Sequence, residues 1–205
     1  MQNSPRGTTL REPMPIHPTL AGLVQLYPGA SYRTDSASLA LALLAGPSRE
    51  GQWVAAIGVD DFGAEAAAEL GIDLSRTLLV PDPGGHWPEV TAALLDVTSV
   101  LLLRPPAQVD AHTASRISAR LRKRSAALVV QGAWPQCEAY LSIERQQWQG
   151  VGHGNGYLRS RRLMLGVQRG SGPGRTSTVN LPGTPLPATP RVLPAAPAAL
   201  LREVG

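Results

Sequence analysis

The sequence GASYRTDSASLALALL, residues 29–44, has the pattern of a short β-strand, a tight turn and an apolar helix. Units of this kind cradle phosphate groups when the turn contains glycines and a lysine and is followed by a serine or threonine for magnesium. Here the turn has neither glycine nor lysine, and the only lysine of the chain is Lys123. The turn residues are Arg33, Thr34, Asp35, Ser36, Ala37 and Ser38. We therefore expect the layout of a nucleotide-binding loop without its chemistry, and no cofactor or metal ion.

Asp35 stands where this turn enters the helix. A side-chain carboxylate at that place accepts hydrogen bonds from free backbone N–H groups and interacts favourably with the helix dipole. We expect Asp35 to cap the helix and to take the electrostatic place of a bound phosphate.

The strand and helix pattern repeats from this point with short connections. Residues 30–34 are predicted to form the first strand, and further strands are predicted at 53–59, 77–80, 99–103 and 126–130, where apolar residues dominate. Helical patterns cover residues 37–45, 62–70, 87–96 and 109–124, with Gly46-Pro47 as the expected end of the first. Repeated units of this size predict an α/β fold with a mostly parallel twisted sheet flanked by helices.

The pattern changes after Gln131. Residues 138–148 and 157–168 alternate and flank a glycine-rich stretch, which predicts an antiparallel hairpin that extends the sheet. The tail at 171–205 has seven prolines and no alternating apolar pattern. We expect this tail to be disordered and basic, with a short helical docking motif at Leu200 and Leu201.

Length and composition fit one folded domain with tails. The chain has 205 residues, of which 43% are hydrophobic, and this suffices for one α/β core. We expect disorder at residues 1–15, which are polar and interrupted by prolines, and a folded domain at 16–170. A single cysteine, Cys137, excludes an internal disulfide. No apolar run approaches the roughly 18 residues of a membrane span, so we expect a cytoplasmic protein without membrane contact.

Charge is distributed unevenly. Residues 1–150 carry 12 Arg and Lys against 14 Asp and Glu, whereas residues 151–205 carry seven arginines and one acid. Arginines on the predicted helix 109–124 and beside the hairpin tip are candidate contacts for DNA or a partner protein. They are Arg116, Arg120, Arg124, Arg159, Arg161 and Arg162. A solvated helix end and a polar strand face explain the same residues without a ligand, so DNA contact is expected to be weak.

The order of elements and three short strings resemble the ATPase core of the RecA recombinase family. The strings are Arg49-Glu50-Gly51, Ala68-Glu69-Leu70-Gly71-Ile72-Asp73-Leu74 and Leu78-Leu79-Val80-Pro81-Asp82. The resemblance covers residues 16–170 and implies a degenerate RecA-like domain. It implies a catalytic carboxylate at Asp60 or Asp61 and a nucleotide-sensing glutamine at Gln131. The magnesium-binding aspartate of RecA is replaced by Arg104. Hydrolysis depends on positioning and charge neutralisation of the phosphates, so we expect no catalytic residues and no enzymatic activity.

The coordinated losses, together with Gly51-Gln52-Trp53, Pro81-Asp82-Pro83-Gly84 and Leu103-Arg104-Pro105-Pro106, resemble the ImuA group. The similarity is to the shortened actinobacterial ImuA-prime type, also described as RecA-like or SulA-like. It implies a non-catalytic adaptor in SOS-induced, error-prone translesion DNA synthesis after DNA damage. The implied partners are the Y-family-like protein ImuB, and an error-prone polymerase III alpha-type subunit or RecA, with nucleoid association in the complex. A DNA-binding RecA-family accessory protein and a SulA-like inhibitor of cell division are alternatives.

Overall fold

A computed structural model describes residues 11–149, 160–170, 172–181 and 191–192. The helices are α1 (Ala37–Arg49), α2 (Ala64–Glu69), α3 (Trp87–Leu94) and α4 (Ala111–Arg124). The strands are β1 (Ser31–Thr34), β2 (Val54–Ile57), β3 (Thr77–Val80), β4 (Val100–Leu103), β5 (Ala127–Gln131), β6 (Ala139–Gln149), β7 (Ser160–Gln168), β8 (Arg175–Leu181) and β9 (Arg191–Val192).

The strands form one sheet in the order β3-β2-β4-β5-β1-β6-β7-β8-β9. All pairs from β3 to β6 are parallel, and the pairs from β6 to β9 are antiparallel. The predicted α/β fold is confirmed, with a mostly parallel sheet flanked by helices and a C-terminal antiparallel hairpin. Because β2, β4, β5 and β1 are adjacent and parallel, their carboxyl ends lie on the same side of the sheet.

Helices cover the sheet on both faces, and successive strand residues point to opposite faces. Ala56 and Leu102 belong to the core that also contains the apolar residues of α1, whereas Ala55 and Leu101 belong to the core under α3 and α4. Both β2 and β4 are buried throughout. This two-sided burial explains why their sequences are continuous apolar runs rather than alternating ones.

Helix α1 is longer than predicted, because Gly46-Pro47 does not end it. Pro47 lies in the last turn, where its missing N–H removes only one helical hydrogen bond. A Cβ at Gly46 would lie 2.3 Å from the carbonyl oxygen of Pro15, so this glycine allows the preceding segment to cross the helix closely. The extra turn buries Ser48, whose hydroxyl accepts a hydrogen bond from Asp73 N–H at 2.9 Å.

The prediction of disorder at 171–205 is wrong for residues 175–181, which form β8. This strand pairs with β7 and buries Val179 and Thr176. The Thr-Ser-Thr-Val run has the β-branched residues that favour strands, but the high proline content of the whole tail obscured it. The proposed motif at Leu200 and Leu201 lies outside the described residues.

The prediction of disorder at 1–15 is also wrong at its last residues. Met14 N–H donates to the carbonyl oxygen of Leu26 at 2.6 Å, forming an isolated antiparallel bridge. Met14 and Ile16 pack against the core under α1. Apolar burial thus fixes a segment whose prolines and polar residues had indicated a disordered lead-in. Residues 1–10 lie outside the described part of the chain.

Among the described helices, none combines the length and the apolar character that crossing a bilayer requires.

Candidate functional site

The carboxyl ends of β2, β4 and β5 carry a polar cluster centred on Arg104. Its guanidinium lies 3.1 Å from Asp60 Oδ1 and 2.7 Å from Asp61 Oδ1. It also donates to Gln131 Oε1 from Nη2 at 3.0 Å and from Nε at 3.3 Å. One cation therefore engages all three residues to which the RecA resemblance assigned nucleotide chemistry. We call Asp60, Asp61, Arg104 and Gln131 the Arg104 cluster.

The electrostatics of the Arg104 cluster oppose a second cation. The hydrogen bond from Arg104 lowers the pKa of Asp61, and the charge of the guanidinium adds to the effect. The carboxylate is therefore ionised and already paired. A magnesium ion at this edge would have to compete with an arginine that is covalently part of the site. The side chain of Arg104 is only 29% exposed, so it is held at the sheet edge rather than in bulk water.

The backbone around Gly58 sets the position of Arg104. The N–H of Arg104 donates to Ile57 oxygen, and the N–H of Gly58 donates to Val80 oxygen, both at 2.9 Å. Gly58 has φ +71°, and a Cβ there would lie 2.2 Å from the carbonyl oxygen of Arg104. Only glycine has neither the left-handed strain nor this collision. The end of β4 thus approaches the end of β2 closely enough for Arg104 to reach Asp60 and Asp61.

The turn between β1 and α1 is held by its own side chains. The expectation that Asp35 caps α1 is wrong, because the helix begins at Ala37 and its N-cap is Ser36, whose Oγ accepts from Leu39 N–H. Asp35 lies one residue too early for that role. Instead, its carboxylate accepts a hydrogen bond from the Tyr140 hydroxyl at 2.7 Å.

Arg33 and Tyr140 complete this arrangement. The Arg33 guanidinium lies 4.7 Å from the centroid of the Tyr140 ring and 3.8 Å from Asp35. The hydrogen bond to Asp35 raises the pKa of the Tyr140 hydroxyl, so this group remains a proton donor. Cation–π and charge-assisted contacts of this type hold a turn in place. The loop therefore points its charged groups at β6 instead of leaving them open to a phosphate.

Strand β7 brings Arg161 to the same turn. Its Nη1 donates to Ser38 Oγ at 3.3 Å, and its Nη2 donates to Gln146. Beside it lies an open cavity of about 640 Å³ whose lining includes Asp35 and Glu144. The lining also includes Arg145 and Arg161, so its two carboxylates and two guanidinium groups balance in charge. The sequence had placed Arg161 on a separate basic finger with Arg162, which is exposed, and with Arg159, which lies outside the described residues.

Two arginines of the stripe on α4 share one carboxylate, that of Asp96. Arg120 donates to Asp96 through Nε at 2.9 Å and through Nη2 at 2.5 Å, and Arg124 Nε donates to the same carboxylate at 3.0 Å. Arg116 makes no ion pair with a described residue. Two of the three predicted contacts therefore fix the helix end to the loop that follows α3, as a solvated helix end would.

The pairs with Asp96 predict a pH dependence of stability. Hydrogen bonds from Arg120 and then Arg124 hold the pKa of Asp96 below its ordinary value. A carboxyl whose pKa is lowered by folding stabilises the protein above its unfolded pKa of about 4, and this stabilisation is lost as pH falls through the folded pKa. We expect Asp96→Asn to lower the urea midpoint at neutral pH, with the difference from the unmodified chain shrinking near pH 3. If the difference between the two urea midpoints is as large at pH 3 as at neutral pH, ionised Asp96 does not stabilise the fold.

A groove between α3 and α4 is a site that the sequence did not reveal. Its volume is about 340 Å³, and its walls include Pro88, Ala92 and Ile117. Arg116 and Lys123 stand at its rim, and both are exposed. The periodicity of α4 indicated its cations, but not that an apolar channel runs beside them, because this depends on how α3 is placed. We call this feature the α3–α4 groove.

Within the described ranges, His, Cys, Asp and Glu form no group of three or more that is arranged to hold a metal ion.

Comparison with known proteins gives a family and a relative. The family model described as MT3502 N-terminal domain matches residues 19–136, which are more than half of the chain. "Uncharacterized protein Rv3395c" of Mycobacterium tuberculosis (strain ATCC 25618 / H37Rv) is 36% identical over 117 residues, 56% of this chain and 57% of that protein. The chain thus matches less than two thirds of this relative's length.

The family match includes the Arg104 cluster and the α3–α4 groove and ends before β6. The chain therefore belongs to the family described as MT3502 N-terminal domain.

Proposed function

We propose that this protein is a non-catalytic adaptor on a degenerate RecA-like fold, and that it serves error-prone translesion DNA synthesis in the SOS response. Its main partner in this proposal is the ImuB-like Y-family homologue, which it helps to connect to an error-prone polymerase III alpha-type subunit or to RecA. Binding, rather than phosphate chemistry, is then the property for which the fold is retained.

The observation that carries the proposal is the Arg104 cluster. Arg104 stands where the RecA resemblance calls for a magnesium ligand, and it engages Asp60, Asp61 and Gln131. The turn that follows β1 lacks a lysine, and Asp35 is bonded to Tyr140. Phosphoryl transfer depends on a metal ion and cationic groups that neutralise the charge of the phosphates. In this proposal, Arg104 takes the place of the magnesium ligand, and the turn after β1 supplies no lysine.

The assignment to translesion synthesis rests on the resemblance to the ImuA group. The motifs that carry this resemblance, at 51–53, 81–84 and 103–106, surround structural positions described above. Residue 104 forms the cluster, and residues 81–84 connect β3 to the turn before α3. Residues 81–84 and 104 thus lie at the carboxyl ends of β3 and β4, whereas residues 51–53 precede β2.

The α3–α4 groove is the surface that best fits a partner segment. Pro88 and Ala92 offer it an apolar wall for small side chains, and Arg116 and Lys123 favour acidic residues beside them. An amphipathic acidic segment docks in such a groove through apolar anchors, and the charges steer the encounter. We assign this groove to an acidic segment of the ImuB-like protein.

A binding experiment tests the assignment. The full chain is titrated against the purified ImuB-like protein of the same organism by biolayer interferometry, as the unmodified chain and as Arg116→Glu/Lys123→Glu. We expect association of the unmodified chain and a loss of roughly tenfold or more in affinity in the variant, because both charges are reversed. Arg175→Glu, on β8 at the other end of the sheet, is the matched control and should bind normally. If the groove variant binds as tightly as the unmodified chain, the groove is not the binding surface. If the unmodified chain does not associate, the ImuB-like protein is not the partner.

Direct DNA binding is a second candidate, since Arg116, Arg122 and Lys123 are exposed on α4. Pairing of Arg120 and Arg124 with Asp96 leaves the stripe with fewer available cations. A DNA titration of the unmodified chain and of the same variant tests this second candidate. A steep loss of DNA affinity with added salt, abolished by the groove variant, would favour the DNA-binding alternative.

A further inference from the structure

The large apolar side chains that are exposed in the described residues gather at one end of the sheet. They are Trp53, Leu74, Leu79 and Val97, with exposed fractions of 44%, 43%, 46% and 60%. Leu79 lies on β3, and the other three lie just before β2, β3 and β4, which are adjacent strands. Scattered exposed apolar residues are ordinary, but Leu79 differs from the other three because it lies on a strand.

Among the described strands, β3 is the edge of the sheet at that end. Its partner is β2, and Val80 oxygen accepts from Gly58 N–H, so the backbone of Val80 faces β2. Backbone groups alternate in direction along a strand, which turns the N–H and C=O of Leu79 toward the open side. The Thr77 N–H is already used by Leu74 oxygen. Leu79 therefore presents both a donor and an acceptor to whatever lies beside β3.

The sequence of β3 is complementary to itself when two copies run antiparallel. With Leu79 opposite Leu79 of the second copy, Leu78 lies opposite Val80 on the other face of the sheet. Apolar residues then meet apolar residues on both faces, where cross-strand pairs stabilise a sheet. The charged residues Arg76 and Asp82 lie outside the strand, and Arg76 is paired with Asp73 of its own chain. A shift by one residue would move the side chains to opposite faces and lose these matches.

We infer that two copies of this chain associate through β3, edge to edge and antiparallel, into one continuous sheet. Leu79 of each copy exchanges both backbone hydrogen bonds with Leu79 of the other. The two-fold axis passes between these residues and uses the same patch on each copy, so the interface closes on itself and stops at a dimer. Edge strands that lack charged residues and prolines in their middle are suited to such pairing. Here Pro81 lies beyond the strand.

Sedimentation velocity of the full chain over a wide concentration range tests this inference. We expect a reversible monomer–dimer equilibrium whose dissociation constant rises at least about tenfold in Leu79→Lys, since a lysine on an edge strand opposes pairing. Val97→Lys is the matched control, because it places the same charge on an exposed apolar residue two strands from the edge. It should leave the equilibrium unchanged. Circular dichroism and thermal melting establish that both variants are folded.

Cysteine cross-linking tests the register independently. Hydrogen-bonded antiparallel partners have Cα atoms about 5.5 Å apart, within the range that a disulfide spans. Mild oxidation of Leu79→Cys in a Cys137→Ser background should give a covalent dimer linked through residue 79. Val97→Cys in the same background should remain uncoupled.

The inference is overturned if the folded chain stays monomeric at every concentration, or if the dimer is insensitive to Leu79→Lys. A monomer that instead binds a foreign peptide through Leu79 would assign β3 to a strand of another protein, and the second copy would be excluded.

Discussion

Replacement of Gly58 by alanine is expected to destabilise the protein by about 3 kcal/mol or more, because left-handed strain of about 1–2 kcal/mol adds to a backbone collision. The Cβ would lie 2.2 Å from the carbonyl oxygen of Arg104, at φ +71°. Backbone atoms cannot rotate away as a flexible side chain does. Relief requires the ends of β2 and β4 to separate, which also draws Arg104 away from Asp60 and Asp61.

Gly22→Ala is the matched control for this prediction. Gly22 has a similar φ of +78°, but a Cβ there meets nothing within 4 Å. Only the conformational strain remains, about 1 kcal/mol. Urea unfolding followed by circular dichroism measures both variants. If Gly58→Ala and Gly22→Ala lower the free energy of unfolding equally, the close approach of β4 to β2 does not hold the Arg104 cluster in place.

Ending the chain after Gly170 is expected to reduce stability by about 3 kcal/mol or more, since burial of one valine side chain contributes about 1.5–3 kcal/mol and a row of strand hydrogen bonds is lost besides. The shortened chain lacks β8, which pairs with β7 over seven residues. It also lacks Val179, which is 2% exposed and belongs to the core with Leu163 and Leu165. The new edge at β7 would be open to aggregation.

A chain ending after residue 192 keeps β8 and β9 and serves as the control. Its urea midpoint should equal that of the full chain, whereas the chain ending at 170 should unfold at lower urea or precipitate. If the chain ending at 170 has the same urea midpoint as the full chain, residues 171–181 do not stabilise the fold, and the placement of β8 is contradicted.

The sequence predicted the centre of the sheet well because one force dominates there. Strands β2, β4 and β5 are covered on both faces, so their burial demands apolar runs that are visible without a structure. Strand β3 was also placed at its observed bounds, 77–80. Its partial exposure was not predictable, because this depends on its being the edge of the sheet.

Two predictions were wrong because they assigned a residue the role that it most often has in a short sequence pattern. Gly46-Pro47 usually ends a helix, but Gly46 is required by the crossing segment at Pro15, a contact between residues distant in sequence. Asp35 is a good capping residue, but Ser36 is one as well, and α1 begins after it. The sequence does not decide between Asp35 and Ser36 as the N-cap, because Tyr140, which binds Asp35, lies 105 residues away in the chain.

The RecA resemblance singled out Asp60 and Gln131 as counterparts without a catalytic role, and Arg104 as the replacement of a magnesium-binding aspartate. It did not predict that the three residues contact one another. Their mutual contacts follow from the strand order, which makes β2, β4 and β5 adjacent. The pairing of Arg120 and Arg124 with Asp96 likewise depends on how α3 packs against α4.

A calorimetric titration of the purified full chain with ATP and magnesium, combined with a phosphate-release assay, tests most directly whether the protein is non-catalytic. We expect no saturable heat and no turnover, because Arg104 engages Asp60 and Asp61 and because the turn lacks a lysine. Saturable binding with ATP turnover that is abolished by Asp60→Asn would contradict it, and would make this chain an ATPase with an unusual loop.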